Sequence, residues 1–315
     1  MPPEPAPRSA PGSAQESGQN AASVPASVRE PRLRELLADA VATLARSGIA
    51  EPDVDVELLA AHVLATTRGG VQAAAIRGDA VDAGFAHAFA AVIERRATRE
   101  PLQHITGFAP FRTLTLRVGP GVFVPRPETE IAAQLAIDAL AGVAAAEPLA
   151  VDLGTGSGAI ALALAAEVPH ARVIGVENSV DAFVWARENV VHTGIRNARI
   201  VFHDLADALP ELDGTVDVIV SNPPYVPDDA IPRDPEVRRY DPEAALYGGP
   251  DGLEVVRQVS RTALRLARPG GAVVIEHGEW QGSPIRELLT ADGWRAAATH
   301  PDLTMRDRVT TAIRP

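Results

Sequence analysis

The tetrapeptide Asn222-Pro223-Pro224-Tyr225 places a side-chain amide, two rigid prolines and an aromatic ring in succession. Such a set can hold a planar nitrogen, whether an amide or an exocyclic base amine, whose delocalised lone pair makes it a poor nucleophile. The Asn222 oxygen can accept one N–H of that group. A proline carbonyl, fixed by the Pro-Pro turn, can accept the other, and Tyr225 can cover the planar face. Held so, the nitrogen is aligned with an electrophilic methyl, and its pyramidal transition state is favoured over the flat ground state. No strong base is required, because the methylated nitrogen loses its proton readily. The chemistry predicted at residues 222–225 is N-methylation of a planar nitrogen.

A donor site is legible upstream. The run AVDLGTGSGAIALALAAE from Ala150 is a strand, a glycine-rich turn and a helix. Gly154, Gly156 and Gly158 permit close approach of backbone to ligand, and the helix from Ala159 offers unpaired N–H groups. Glu177 ends the next apolar run, 19 residues after Gly158, where an acidic side chain can accept ribose hydroxyls. That spacing serves a nicotinamide dinucleotide and S-adenosylmethionine alike. Asp152 tips the balance, since a carboxylate before the glycines suits a cationic amino group and repels a pyrophosphate. Asp204, after the third apolar run, is placed to accept from an adenine amino group.

The elements that must position these residues follow from periodicity. Strands are predicted at 149–153, 172–177, 199–202, 216–221, 272–276, 294–299 and 308–313, with helices at 159–167, 180–193, 253–266 and 284–291 between them. Alternation of this kind predicts a doubly wound α/β fold with a mostly parallel seven-stranded sheet. The last connection, HPDLTMRD, is too short for a crossover helix, so the final strand should run antiparallel. Residues 31–100 show three- and four-residue spacing and predict a small bundle of four or five helices. Gly48 stops the first helix and Gly69-Gly70 the second. Residues 101–125 alternate with period two around glycines and prolines, and predict a β-hairpin linking the bundle to a catalytic domain at 126–315. Residues 1–30, rich in Pro, Ala and Ser, predict a disordered tail.

Composition narrows the functional classes. The 315 residues contain no cysteine, which excludes disulfides and thiolate chemistry, and the eight histidines show no metal-ligand spacing. No metal is expected. A net charge of −12 opposes extended nucleic-acid binding. The 29 basic residues are all arginine, a bias we attribute to codon usage in an alanine-rich chain. With neither a secretory leader nor a run long enough to span a membrane, a cytoplasmic protein is expected.

LGTGSGAIALALA and SNPPYV together resemble class I S-adenosylmethionine-dependent methyltransferases that modify planar nitrogens. A longer set narrows the likeness: EPLQHITGFAPFRTLTLRVGPGVFVPRPETE (100–130), PEAALYGGPDGL (242–253) and VIEHG (274–278). It resembles the peptide-chain-release-factor glutamine methyltransferases, the HemK/PrmC family, over residues 31–315. The resemblance implies transfer to the side-chain nitrogen of the glutamine in the Gly-Gly-Gln loop of class I release factors; a monomer is expected. It implies that Gly154, Thr155, Gly156, Ser157 and Gly158 line the methionine part of the cofactor, with Glu177 at the ribose and Asp204 near the adenine. Asn222, Pro223, Pro224 and Tyr225 would grip the substrate amide, with Asn222 also beside the cofactor. The bundle and hairpin would dock the release factor, and RPETE would close the pocket between the domains. Some relatives carry Trp where this chain has Leu205, so an adenine contact there would be apolar packing only.

Competing expectations are a glutamine methyltransferase acting on a ribosomal protein, a DNA amino-methyltransferase, a cofactor-binding protein without catalysis, and a dinucleotide oxidoreductase. The RPETE sequence disfavours the first and the charge the second. An intact Asn222–Tyr225 set is unexplained by the last two.

Overall fold

The computed structural model describes residues 31–315; the expected tail at 1–30 lies outside the described residues. Five helices come first: α1 (Leu33–Arg46), α2 (Pro52–Val63), α3 (Arg68–Arg77), α4 (Ala83–Ala97) and α5 (Leu102–Thr106). Their apolar faces, among them Leu33, Leu44, Leu59, Val71 and Phe89, close a core of their own. Gly48 ends the first helix as expected, with φ at +76°. Gly69 and Gly70 do not end the second. They fall in the first turn of α3, where the Thr67 hydroxyl accepts the Gly70 N–H at 3.1 Å. A capped first turn tolerates glycine because its N–H groups have no partner inside the helix.

The hairpin β1 (Phe108–Phe111) and β2 (Leu114–Arg117) follows, paired antiparallel. The remaining elements are α6 (Thr129–Ala141), β3 (Leu149–Leu153), α7 (Ala159–Glu167), β4 (Arg172–Glu177), α8 (Val180–Thr193), β5 (Ala198–Phe202) and β6 (Val216–Ser221). After them come α9 (Pro235–Tyr240), α10 (Glu243–Leu246), α11 (Glu254–Leu266), β7 (Ala267–Glu276), α12 (Gly282–Asp292), β8 (Arg295–Pro301) and β9 (Asp307–Ile313). The seven-stranded sheet has the order β5-β4-β3-β6-β7-β9-β8. Strands β3 to β7 are parallel, and β9 runs antiparallel to both its neighbours.

Both sheet faces are covered. Ala132, Ala136 and Leu140 of α6 pack with Leu162 and Leu164 of α7 on one face. Val256, Val259 and Leu266 of α11 pack with Ile285 and Leu289 of α12 on the other. Central strands buried on two faces are nearly uninterrupted apolar runs, and β3 and β6 are buried at every residue. The acidic residue inside β6, Asp217, is satisfied by Arg268 at 2.5 Å and by the Leu149 N–H at 2.8 Å. Strand order reverses between β3 and β6, which opens a crevice at their carboxyl ends. The glycine turn and Asn222 both stand there.

Candidate active site

A cavity of about 570 Å³ lies over the carboxyl ends of β3, β4, β6 and β7. On its donor side, the Gly154 and Thr155 N–H groups both donate to the Val176 carbonyl at 2.9 Å, fixing the turn after β3. Gly154 (φ +73°) and Gly156 (φ +58°) face open space: a Cβ at either would meet no atom within 4 Å and would project from the wall. Thr155 and Ser157 also line the cavity, whereas Gly158 does not. Gly158 stands at φ +84° just before α7, a left-handed conformation that favours glycine, and a Cβ there would lie 3.3 Å from Leu162.

Asp152 is likewise off the cavity wall. It is 1% exposed, pointing beneath the turn, and its Oδ2 accepts from the Thr155 hydroxyl at 2.6 Å and the Ala161 N–H at 3.1 Å. Burial pushes its carboxyl up to about 7, against those two hydrogen bonds. The structure therefore makes Asp152 a buttress of the turn. Its Oδ1 is buried without a hydrogen-bond partner.

Glu177 lines the cavity at the end of β4. Its Oε2 accepts the Gly156 N–H at 2.8 Å; its Oε1 accepts those of Asn178 at 3.0 Å and Ser179 at 2.8 Å. A carboxylate has about four lone-pair sites, so about one remains, on Oε2, rather than the two that gripping both ribose hydroxyls would use. Asp204, on the rim, accepts from Asn178 Nδ2 at 3.2 Å and from the Ala206 N–H at 2.9 Å. Leu205 lines the wall with carbon only.

Asn222, Pro223, Pro224 and Tyr225 line the acceptor side. The Ser221 hydroxyl ties the end of β6 to the Leu153 carbonyl at 2.7 Å, which fixes the acceptor turn relative to the glycine turn. Gln281 Nε2 donates to the Tyr225 carbonyl at 3.0 Å. The Val226 N–H donates to the Leu246 carbonyl, and the Gly248 N–H to that of Val226, each at 2.8 Å. Gly248 is glycine of necessity, since a Cβ there would stand 2.5 Å from the Pro224 carbonyl oxygen. Burial, with the charge of Glu276, pushes the Tyr225 phenol up, so its ring meets the cavity as a neutral group.

Glu276 and Arg308 line the wall without a role assigned from the sequence, and Glu128 and Thr129 of the RPETE segment, expected to close the pocket, line it too. Asn222 Nδ2 donates to Thr129 Oγ1 at 3.3 Å. Glu276, 3% exposed, ends β7, and its Oε2 has no hydrogen-bond partner. Burial pushes its carboxyl up to about 7; the Thr129 hydroxyl, Arg308 and the Asn222 amide oppose this, and Glu128 adds to it. The signal was present, because VVIE repeats the pattern of VIGVE, an apolar strand ending in one carboxylate.

The loop after Asn222 roofs the cavity and is bound to the N-terminal helices. Glu236 of α9 accepts from Arg96 at 2.8 Å and Arg99 at 2.5 Å, and Arg96 also donates to Asp55 at 2.7 Å. Arg126 pairs with the buried Asp241 at 2.6 Å.

Comparison with known proteins identifies the family of the chain. The PrmC N-terminal domain model matches residues 35–107, and the methyltransferase small domain model residues 113–234. A release factor glutamine methyltransferase of Streptomyces coelicolor is 49% identical over 88% of this chain and 96% of its own. The chain belongs to the release factor glutamine methyltransferase family. A second relative in Streptomyces pristinaespiralis, named 4-amino-L-phenylalanine/4-methylamino-L-phenylalanine methyltransferase, is 41% identical over 90% of this chain and 96% of its own. At the level of fold, the hMettl16 catalytic domain superposes with a TM-score of 0.51 and 16% identity, over 62% of this chain and 75% of that one.

Membership makes the chain a methyltransferase, and the residues present fit S-adenosylmethionine. The two open glycines, the Glu177 carboxylate with a lone pair to spare and the apolar Leu205 form one continuous wall. Among the described residues, no helix is long and apolar enough to cross a membrane.

Proposed function

We propose that the protein transfers a methyl group from S-adenosylmethionine to the side-chain amide nitrogen of the Gly-Gly-Gln glutamine in class I peptide-chain release factors. The observation that carries this reading is the braced Asn222–Tyr225 turn facing the glycine turn across one cavity, tied to it through Ser221 and Leu153. Bound S-adenosylmethionine supplies a methyl group made electrophilic by its sulfonium. The turn at Gly154, Thr155, Gly156 and Ser157 receives the methionine part, Glu177 takes a ribose hydroxyl, and Asp204 and Leu205 lie at the adenine. Asn222 Oδ1 and the Pro223 carbonyl accept the two N–H bonds of the substrate amide, and Tyr225 covers its face. Because the nitrogen is held by acceptors, its lone pair is directed at the methyl, and the grip tightens as positive charge develops.

The five helices and the hairpin would dock the release factor, with the Arg96–Glu236 contact relaying its position to the loop over the cavity. The protein would work as a monomer in the cytoplasm, with no stable hold on nucleic acid, in keeping with a net charge of −12. A second reading, transfer to an aromatic amine, is favoured by the 41% identical relative whose name states such a substrate. Mass spectrometry of a release factor incubated with enzyme and donor separates the two. One methyl on the loop glutamine supports the first, and an unmodified loop beside methylated 4-amino-L-phenylalanine would replace it with the second.

A further inference from the structure

We propose that Glu276 decides which end of the Asn222 amide faces the substrate and is thus a positioning residue for methyl transfer. This inference rests on the function proposed above. A side-chain amide has a donor end and an acceptor end of nearly equal size, and either can be presented by rotation about its last bond. Only the oxygen can accept an N–H from the nitrogen to be methylated. Presented the other way, the Asn222 amino group would meet the substrate amino group donor to donor.

Behind Asn222 stands the Thr129 hydroxyl, 3.3 Å from Nδ2. A hydroxyl both donates and accepts, so Thr129 alone would stabilise either orientation. Glu276 removes that ambiguity. An ionised carboxylate only accepts, and this one lines the same cavity wall as Thr129 and Asn222, whose hydroxyl and amide favour its charged form. It draws the Thr129 proton toward itself and leaves the hydroxyl lone pairs for the Asn222 amino group. The polar sequence then runs one way, from Asn222 N–H to Thr129 to Glu276, with Asn222 Oδ1 turned into the cavity.

Burying a carboxylate is costly without compensation, yet Glu276 is 3% exposed and its Oε2 is buried without a hydrogen-bond partner. The groups that face it are Arg308 on β9, Glu128 and Thr129 at the start of α6, and Asn222 and Tyr225 after β6. Arg308 favours its charge, whereas Glu128 and burial oppose it. With its carboxyl pushed up to about 7, the orienting charge is present above that pH and lost below it. Protonated, Glu276 can donate to Thr129, and the choice of amide orientation is released.

The test is a double-mutant cycle of Glu276→Gln and Asn222→Ala, with a release factor as acceptor. Methylation by the unaltered enzyme is established first; its absence would refute the proposed function, not this inference. Glu276→Gln is expected to lower kcat at least about tenfold, while KM and the Kd for S-adenosylmethionine stay within about twofold. The fall of kcat below about pH 7 should disappear in that variant. In the Asn222→Ala background, the same substitution should change kcat less than about twofold. Thr129→Val breaks the same relay without touching the buried charge, and its loss should likewise not add to that of Glu276→Gln. Independent, multiplying losses would overturn the inference, as would an unaltered kcat and pH profile, or a loss of cofactor affinity equal to the loss of rate.

Discussion

Arg96 is the residue through which the N-terminal helices hold the loop over the cavity, and the effect of removing it follows from what it leaves behind. Arg96 is 8% exposed, and its guanidinium donates to Asp55 at 2.7 Å, Glu236 at 2.8 Å and the Glu100 carbonyl at 2.9 Å. In Arg96→Ala, Asp55 and the carbonyl lose this partner, and Glu236 keeps Arg99 at 2.5 Å. Removing one member of a buried ion pair costs about 3–5 kcal/mol, because the other charge stays buried. With Arg99 still in place the low end applies, about 3 kcal/mol. At about 2–4 °C per kcal/mol, the melting transition should fall by about 6–12 °C in calorimetry. The loop contributes Pro232, Val237 and Leu246 to the cavity wall, so KM for the release factor should rise. Affinity for S-adenosylmethionine should hold within about twofold, since neither the glycine turn nor Glu177 touches Arg96. Combined with Glu236→Gln, the loss should be less than additive. A melting shift under about 1 °C, or strict additivity with Glu236→Gln, would refute the claim that this contact fastens the loop.

Three further outcomes are expected. Asn222→Ala should lower kcat by about 10²-fold, with cofactor affinity unchanged by calorimetry, since it removes an acceptor used chiefly in the transition state; equal turnover would remove Asn222 from the mechanism. Gly248→Ala should cut turnover and leave cofactor affinity near normal, because its Cβ meets the Pro224 carbonyl oxygen at 2.5 Å; a fully active variant would show that the acceptor turn needs no such bracing. Burial works against the Glu236 charge, but hydrogen bonds with Asp234, Arg99 and Arg96 prevail and hold its carboxyl at about 2, against 4.5 ordinarily. Its stabilising contribution is therefore complete above pH 4.5 and lost as pH falls toward 2, so Glu236→Gln should flatten acid destabilisation measured by calorimetry across that window.

The donor turn and the acceptor turn were legible because each is local: a strand, a few special residues and a helix or proline stop lie within a dozen positions. The same locality made the central strands plain, since burial on two faces leaves continuous apolar runs in β3 and β6. Helices α9 and α10, of six and four residues, are too short to show a period. The start of β7 lay hidden in Pro269-Gly270-Gly271, where pairing with β6 shifts register. Asp152 was read from its place before the glycines as suiting a cationic amino group; that its Oδ2 braces the turn from beneath was not legible, because the pleat of β3 decides which way it points. Contacts that close the site over long separations were invisible. Arg96 and Glu236 are 140 residues apart, and Thr129 and Asn222 are 93 apart. Residues 242–253 were known only by resemblance, and the structure supplies their physical reason in Gly248, which must pass beside the Pro224 carbonyl.

The most direct measurement is transfer of labelled methyl from S-adenosylmethionine to four acceptors in parallel. These are an unmethylated class I release factor, its Gly-Gly-Gln loop Gln→Ala variant, the ribosomal-protein substrate of the sister enzymes, and 4-amino-L-phenylalanine. Label in the intact release factor and in none of the others is the predicted result. Label in the loop variant, or in another acceptor but not the release factor, would contradict the assignment of the glutamine amide as the nitrogen held by Asn222.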